Sequence, residues 1–201
     1  MKFLKKIIDK LFSNPILLNF VRAIFEGNYT VSRKIISNEL DKNKKTLDIG
    51  CGTGEHSILF DSKQYNGIDI SKKYVYNAKK RHKSNFFVMD AQNIRFPDNS
   101  FDNILILGIL HHVNDEIADN ILKEAKRLSK SNTKILIMED IPVTSKINII
   151  GKLMHYLDTG RYIRKIGAYE KIISKQFNIK KQFKIINGIS DYCVFVCRNK
   201  K

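Results

Sequence analysis

Thr46-Leu47-Asp48-Ile49-Gly50-Cys51-Gly52-Thr53-Gly54 is the stretch whose reading decides the fold. Thr46 to Ile49 reads as a short strand, Gly50 to Gly54 as a tight loop, and Glu55 to Phe60 as the start of a helix. Glycines at alternate positions let the backbone turn sharply, expose its N–H groups and keep side chains off a ligand lying on the loop. A dinucleotide would want Gly-x-Gly-x-x-Gly, followed by an acid about 20 positions on. Counting from Gly50, the third glycine falls on position 55, where Glu55 stands. A pyrophosphate would then meet a carboxylate at a helix N-terminus, which is the wrong sign. A cofactor with an amino-acid end and no phosphate avoids that conflict.

The rest of the composition bounds the answer. A chain of 201 residues, 43% of them hydrophobic, suits one domain with a proper core. Its three prolines are scattered and no repeat or low-complexity segment divides it. Cys51, Cys193 and Cys197 make no disulfide framework. The last two share an apolar strand-like run, where four residues span roughly 13 Å, too far for a bridge, and the spacing is no zinc pattern. Such usage fits a reducing cytoplasm. No run of 18 apolar residues suggests a transmembrane span. Residues 1–12 carry Lys2, Lys5, Lys6 and Lys10 among helically spaced apolar positions. They read as a helix packed over the domain or, in the sharper alternative, as an amphipathic helix on an anionic membrane surface. Charges interrupt the apolar run and no small-residue cleavage site follows, against a signal peptide.

The formal net charge of +16 raises the question of RNA. The excess is nearly all lysine, whereas bidentate phosphate contacts and base readout favour arginine. Isoleucine and asparagine are abundant too, so the bias reads as compositional drift. It permits an anionic partner without selecting one.

Along the chain, residues 1–40 read as two or three helices, punctuated at Asn14-Pro15 and Gly27-Asn28, with Thr30 as N-cap of a helix to about Leu40. From Thr46 strand and helix alternate, which argues for a parallel sheet. The expected strands are Thr46–Ile49, Tyr65–Ile70, Asn85–Met89, Phe101–Leu107 and Lys134–Met138. Helices capped by Ser71 and Asn114 lie between them. After Pro142, helices are expected over Ile147–Leu157 and Ala168–Phe177, then a hairpin-like pair, Phe183–Ile186 and Tyr192–Arg198, turning at Asn187-Gly188.

Leu47 to Gly54 resembles motif I of the class I S-adenosylmethionine (SAM)-dependent methyltransferases, and Leu110-His111-His112-Val113 resembles the group called methyltransferase type 11. The resemblance implies an α/β, Rossmann-like fold: a mostly parallel seven-stranded sheet with an antiparallel last strand and helices on both faces. It covers about residues 44–142 as a SAM-binding core and the last strand pair, 179–201, by pattern. Residues 1–43 and 143–178 match only as variable caps, a helical N-terminal piece and a lid. It implies SAM as cofactor, S-adenosylhomocysteine (SAH) as product, and no metal.

Asp69 ends strand 2, 19 positions after Gly50, where an acid can accept both ribose hydroxyls. Ile70 would pack on adenine, Asp90 would accept from its 6-amino group and the Ala91 N–H would meet a ring nitrogen. Asp48 and the Gly50 carbonyl would hold the cofactor's ammonium, with Tyr29 and Arg33 near its carboxylate. Cys51, Gly52, Gly54 and Leu107 complete the expected contact set. The exit of strand 4 faces the transferred methyl group in the family. It lacks both the Asn/Asp-Pro-Pro-aromatic motif of adenine and glutamine N-methyltransferases and a Pro-Cys pair of the kind that attacks cytosine carbon 6. His111 or His112 is a candidate base, or else both shape the cavity. Asp140 is a candidate to orient a histidine or bind a cationic substrate, and Arg161, Tyr162 and Arg164 are candidate acceptor contacts, the arginines suiting a carboxylate or phosphate. The expected acceptor is a small or lipid-like molecule. RNA is the alternative substrate, and a SAM-binding protein without transferase activity is the alternative of another class.

Overall fold

In the computed structural model the described residues are 29–143, 162–187 and 190–200. They build a seven-stranded sheet in the order β3-β2-β1-β4-β5-β7-β6. The strands are β1 (Thr46–Ile49), β2 (Tyr65–Asp69), β3 (Asn85–Val88), β4 (Phe101–Leu107), β5 (Ser129–Asp140), β6 (Phe177–Asn187) and β7 (Ser190–Asn199). The first five are parallel, and β7 runs antiparallel between β5 and β6. The fold class read from the sequence is the one observed.

Strand alternation sorts the core onto the two faces of this sheet. Leu47, Ile49, Ile104, Ile106, Ile135 and Ile137 pack on one face against α3 (Asp115–Leu128) and α4 (Ile166–Gln176). Leu105, Leu136 and Met138 pack on the other against Ile36 and Leu40 of α1 (Thr30–Glu39 with its C-cap) and Val75 and Ala78 of α2 (Lys72–Arg81). The amphipathic stripe expected after Asn114 is buried as read: Ile121, Leu122, Ala125 and Leu128 are all in the core. Asn114 and Ser71 cap their helices, accepting from Ile117 N at 2.9 Å and Tyr74 N at 3.3 Å.

Several boundaries differ from expectation. The helix expected over Glu55–Phe60 is a single 3-10 turn, Ser57–Leu59. Only ten residues separate Gly54 from Tyr65, and the Ser57 hydroxyl donates to Gly54 O at 2.7 Å, so the chain turns back at once. Thr30 is not the N-cap. Tyr29 takes that place in a left-handed conformation, without a side-chain cap bond. β5 starts at Ser129, five residues early, because the polar stretch 129–133 still pairs: Thr133 Oγ1 donates to Phe101 O at 2.6 Å. β6 starts at Phe177 because lysines along an edge strand hide its alternation. The helices expected in residues 1–28 and over 147–157, and the turn residue Gly188, lie outside the described residues.

Two glycines give opposite packing tests. A Cβ on Gly67, in the middle of β2, would meet Cys51 Sγ at 2.8 Å and Phe86 at 2.9 Å, whereas one on Gly167 in α4 would meet nothing within 4 Å. Gly67→Ala should therefore cost about 1–3 kcal/mol by overpacking under the glycine loop. Gly167→Ala should gain up to ~1 kcal/mol by lowering unfolded-chain entropy. Chemical denaturation of the two variants beside the parent chain checks both signs.

Candidate active site

All five parallel strands point their C-terminal ends the same way, and the side chains singled out in the sequence collect along that edge. β1 pairs with β2 and β4 in register, Ile49 opposite Ile68 and Ile106, so the ends of the three strands lie level. Such an edge, at the point where strand order reverses between β1 and β4, is where open α/β sheets bind ligands.

The glycine loop is built for a close approach. Gly50, Gly52 and Gly54 all have positive φ. The loop starts with Gly50 N and Cys51 N both donating to Ile68 O at 2.9 Å, which ties it to β2. At Gly52 a Cβ would meet no protein atom within 4 Å, so the space above that residue is open to a ligand. At Gly54 a Cβ would sit 2.7 Å from the Phe86 ring, so this glycine serves packing.

Asp69 turns its carboxylate back onto the loop. Oδ2 accepts from Gly52 N at 2.9 Å and Oδ1 from Ser71 N at 2.8 Å. Burial raises its pKa, and these two N–H groups oppose the rise. Over the loop lies an open cleft with about 520 Å³ of empty space, lined by Tyr29, Asp48, the loop from Gly50 to Thr53, Glu55, His56, Tyr74 and Leu107. At the ends of β2 and β3 lies an open groove of about 580 Å³, lined by Ile70, Val88, Met89, Asp90, Asn93 and Arg95. Ile70 is 72% exposed and Val88 38%, so the groove floor presents apolar surface to solvent. Ala91 is half-buried and follows Asp90, whose carboxylate accepts from Gln92 N at 2.9 Å. A ligand with a polar amino-acid end, a diol in the middle and a flat apolar end matches this succession: Asp48 and the loop, then Asp69, then Ile70 and Val88.

Asp48 is buried at the bottom of the first cleft. Burial pushes its carboxyl up to about 7, a hydrogen bond from the Tyr65 hydroxyl at 2.5 Å pulls it down, and the Asp69 charge raises it further. Tyr65 was not among the residues singled out, although alternation along β2 places it on the same face as Gly67 and Asp69, next to β1. Tyr29 and Arg33 do lie at this end. The Tyr29 ring meets His56 edge-on at 5.7 Å, and Arg33 donates to Glu55 O at 3.1 Å. Glu55, which excluded a pyrophosphate in the sequence, is ion-paired with Arg81.

At the exit of β4 the structure separates the two histidines. His111 is fully buried and His112 is exposed. The Glu139 carboxylate, buried at the end of β5, gathers the turn: Oε1 accepts from Ile109 N and Leu110 N at 3.1 and 2.9 Å, and Oε2 from His111 N at 3.1 Å. Oε2 also lies 2.8 Å from His111 Nδ1. On the far side of the ring, Nε2 is 3.6 Å from Asp140 Oδ2. The sequence reading named Asp140 and passed over Glu139, since nothing local tells which of two adjacent strand-end acids turns inward.

The Arg164 guanidinium holds the turn, donating to Leu110 O at 2.6 Å, Val113 O at 2.7 Å and Asp115 Oδ1 at 2.8 Å. A planar five-donor fork suits such a cluster of carbonyls. Tyr162 N donates to His111 O at 3.0 Å, so the same segment is fastened by its backbone too, and the Tyr162 ring is exposed. Arg161 lies outside the described residues. Among the described residues no group of acids, cysteines and histidines is placed to hold a metal ion.

Fold and site together define a doubly wound α/β protein with an open cleft over its glycine loop. Residues 47–137 match the family described as a methyltransferase domain. The chain is 30% identical over 162 residues to the demethylmenaquinone methyltransferase of Thermotoga maritima, covering 77% of this chain and 69% of that protein. It is 31% identical over 149 residues to the demethylmenaquinone methyltransferase of Geobacillus sp., covering 69% of this chain and 60% of that one. The chain thus spans somewhat under or about two thirds of these curated relatives. Among solved structures, the PH0226 protein of Pyrococcus horikoshii superposes with a TM-score of 0.71 at 19% identity, over 88% of this chain and 91% of that one. A SAM-dependent methyltransferase of Methanosarcina mazei superposes with a TM-score of 0.67 at 21% identity, over 83% and 98%. The chain belongs to the class I SAM-dependent methyltransferases, whose cofactor is S-adenosylmethionine.

The buried Asp48 gives a pH prediction. Its folded pKa, about 7, lies above the ordinary 3.8. Folded protein therefore holds this proton more tightly than unfolded chain does. The stabilisation is fully present below about pH 4 and is lost as pH rises through about 7. Asp48→Asn removes the titration and keeps an acceptor for Tyr65. In thermal melts of ligand-free protein, the variant should gain on the parent steadily between pH 4 and pH 8, with no further gain above.

Proposed function

We propose that this chain transfers the methyl group of SAM to a small or lipid-like acceptor. The observation that carries the acceptor class is the chemistry at the exit of β4. At the turn after β4 the charged side chains include the carboxylates of Glu139 and Asp140 beside His111, and Arg164 there is committed to backbone carbonyls. Carboxylates there repel a phosphate backbone and tolerate a neutral or cationic acceptor. The relatives named for demethylmenaquinone support a quinone-like acceptor among the small molecules.

In this reading SAM lies across the strand ends. Asp48, with the Gly50 carbonyl, takes its ammonium; Tyr29 and Arg33 stand at its carboxylate end; Asp69 takes the ribose diol while still accepting from Gly52 N. Ile70 and Val88 cover the adenine, and Asp90 with Ala91 N reads its edge. Cys51, Gly52, Gly54 and Leu107 line the path between. The sulfonium already activates the methyl, so the protein's work is to align donor and acceptor in line and exclude water.

Calorimetric titration with SAM tests the cofactor reading. Binding at micromolar to sub-millimolar concentration is expected, and no binding at about 1 mM would overturn it. Asp69→Ala should weaken binding roughly 100-fold, because two hydrogen bonds from the diol to a charged group are lost at about 1.5 kcal/mol each. Incubating the full chain and methyl-labelled SAM with a cell extract, then separating organic-soluble, small polar and RNA fractions, tests the acceptor. Label in the organic-soluble or small polar fraction supports the proposal. Label confined to RNA replaces it with the nucleic-acid reading, and binding without any label favours a SAM-binding protein that transfers nothing.

A further inference from the structure

Ser32, in the first turn of α1, is 1% exposed, and its hydroxyl works both as donor and as acceptor. Oγ donates to Tyr29 O at 2.9 Å and lies 3.2 Å from His56 Nε2. A hydroxyl has one proton, and a carbonyl oxygen can only accept. The Ser32 proton therefore goes to Tyr29 O, and His56 Nε2 is the donor to Ser32 Oγ. That assigns a proton to His56 Nε2. The chain from Nε2–H through Oγ to the carbonyl joins the segment after the glycine loop to the residue that starts α1.

Tyr29 needs such a hold. Its φ of 60° and ψ of 16° are left-handed. Bulky side chains seldom adopt that conformation and keep it only where their surroundings fix it. Here Ser32 binds the Tyr29 carbonyl, His56 meets its ring edge-on at 5.7 Å, and the Arg33 guanidinium carbon lies 5.6 Å from the ring centre. Arg33 also donates to Glu55 O at 3.1 Å, so Ser32 and Arg33 of α1 hold the neighbouring residues His56 and Glu55. Glu55 is ion-paired with Arg81 of α2, which steadies the same segment from the other helix. Tyr29, Glu55 and His56 all line the cleft over the glycine loop.

We infer that Ser32 and His56 are positioning residues that hold Tyr29 as a wall at the amino-acid end of the cofactor, so that the cleft selects ligands carrying that end over the nucleoside alone. The inference rests on the placement of SAM in the proposed function, with its ammonium at Asp48. Helix α1 then does more than cover the sheet. Its far end is anchored in the core by Ile36 and Leu40, and Lys134 Nζ of β5 donates to Glu39 O at 2.9 Å. Its first turn, held at a fixed distance from that anchor, sets where Tyr29 stands.

Two ligands separate a positioning role from a merely structural one. SAH carries the amino-acid end, and 5′-methylthioadenosine is the same nucleoside thioether without it. In calorimetric titration of the full chain, Ser32→Ala should weaken SAH about 10-fold and leave methylthioadenosine within about 2-fold. His56→Phe, which keeps a ring and removes the N–H, should do the same. His56→Gln, which keeps an N–H donor, should recover part of the SAH affinity. An SAH affinity for Ser32→Ala within about 2-fold of the parent, or an equal loss for both ligands, overturns the inference. Nitrogen-15 NMR of the ligand-free chain, with His56→Gln to assign the ring, reads the hydrogen bond itself. The expected result at about pH 7–8 is a slowly exchanging proton on Nε2 that exchanges fast in Ser32→Ala, and an unprotonated Nε2 overturns the inference. A parent chain that binds SAH no tighter than methylthioadenosine contradicts the cofactor placement itself, and the Nε2–H result then decides whether Ser32 and His56 hold Tyr29.

Discussion

One hydrogen bond couples the parts of the cofactor cleft. Gly52 N donates to Asp69 Oδ2, joining the top of the glycine loop to the end of the neighbouring strand. The bond forms because β1 and β2 run level, Ile49 opposite Ile68, and because Gly52 sits at a positive φ that turns its N–H outward. Shift either strand by one residue and the carboxylate would leave the edge for the opposite face of the sheet. Held this way, Asp69 has one oxygen on Gly52 and one on Ser71, and lone pairs remain on both for a ligand.

A second carboxylate does the same work at the other end of the edge. Glu139 closes the turn after β4 much as Asp69 closes the loop after β1. Its three backbone donors come from Ile109, Leu110 and His111, and the His111 ring nitrogen lies beside it. Burying a carboxyl group is costly unless its oxygens are bonded, and here both are. Arg164 and Tyr162 then fasten the outer side of the same turn. A histidine gripped from both sides is a defined chemical group, which an exposed neighbour such as His112 is not.

The legible part of this protein was the part encoded in local patterns. Strand β4, with its apolar Ile104–Leu107 end, has the bounds that its sequence predicts, and so does β1. The stripe on α3 and its Asn114 cap follow from helical spacing and capping chemistry. The extent of β5 and β6 was not legible, because their polar beginnings pair only through a neighbouring strand. The expected helix after Gly54 was read from a general pattern, and the short return to Tyr65 left no room for it. Arg164 was read by its charge, which says what a side chain can bind but not what it will find nearest.

By itself, the order of residues determined the family, the cofactor and the run of acids along the strand ends, since Gly50, Gly52, Gly54, Asp69 and Asp90 carry those at fixed spacing. Tertiary structure alone decided how the acids differ. Asp48, beneath the loop against Tyr65, is pushed up to about 7, whereas Asp69 is kept in place by two backbone N–H groups. Glu139 turns inward to His111, while Asp140 stands 3.6 Å from the other ring nitrogen. A carboxylate's burial, its hydrogen-bond partners and its nearest charge come from strands and turns far apart in the chain, and those three quantities set what the group can do.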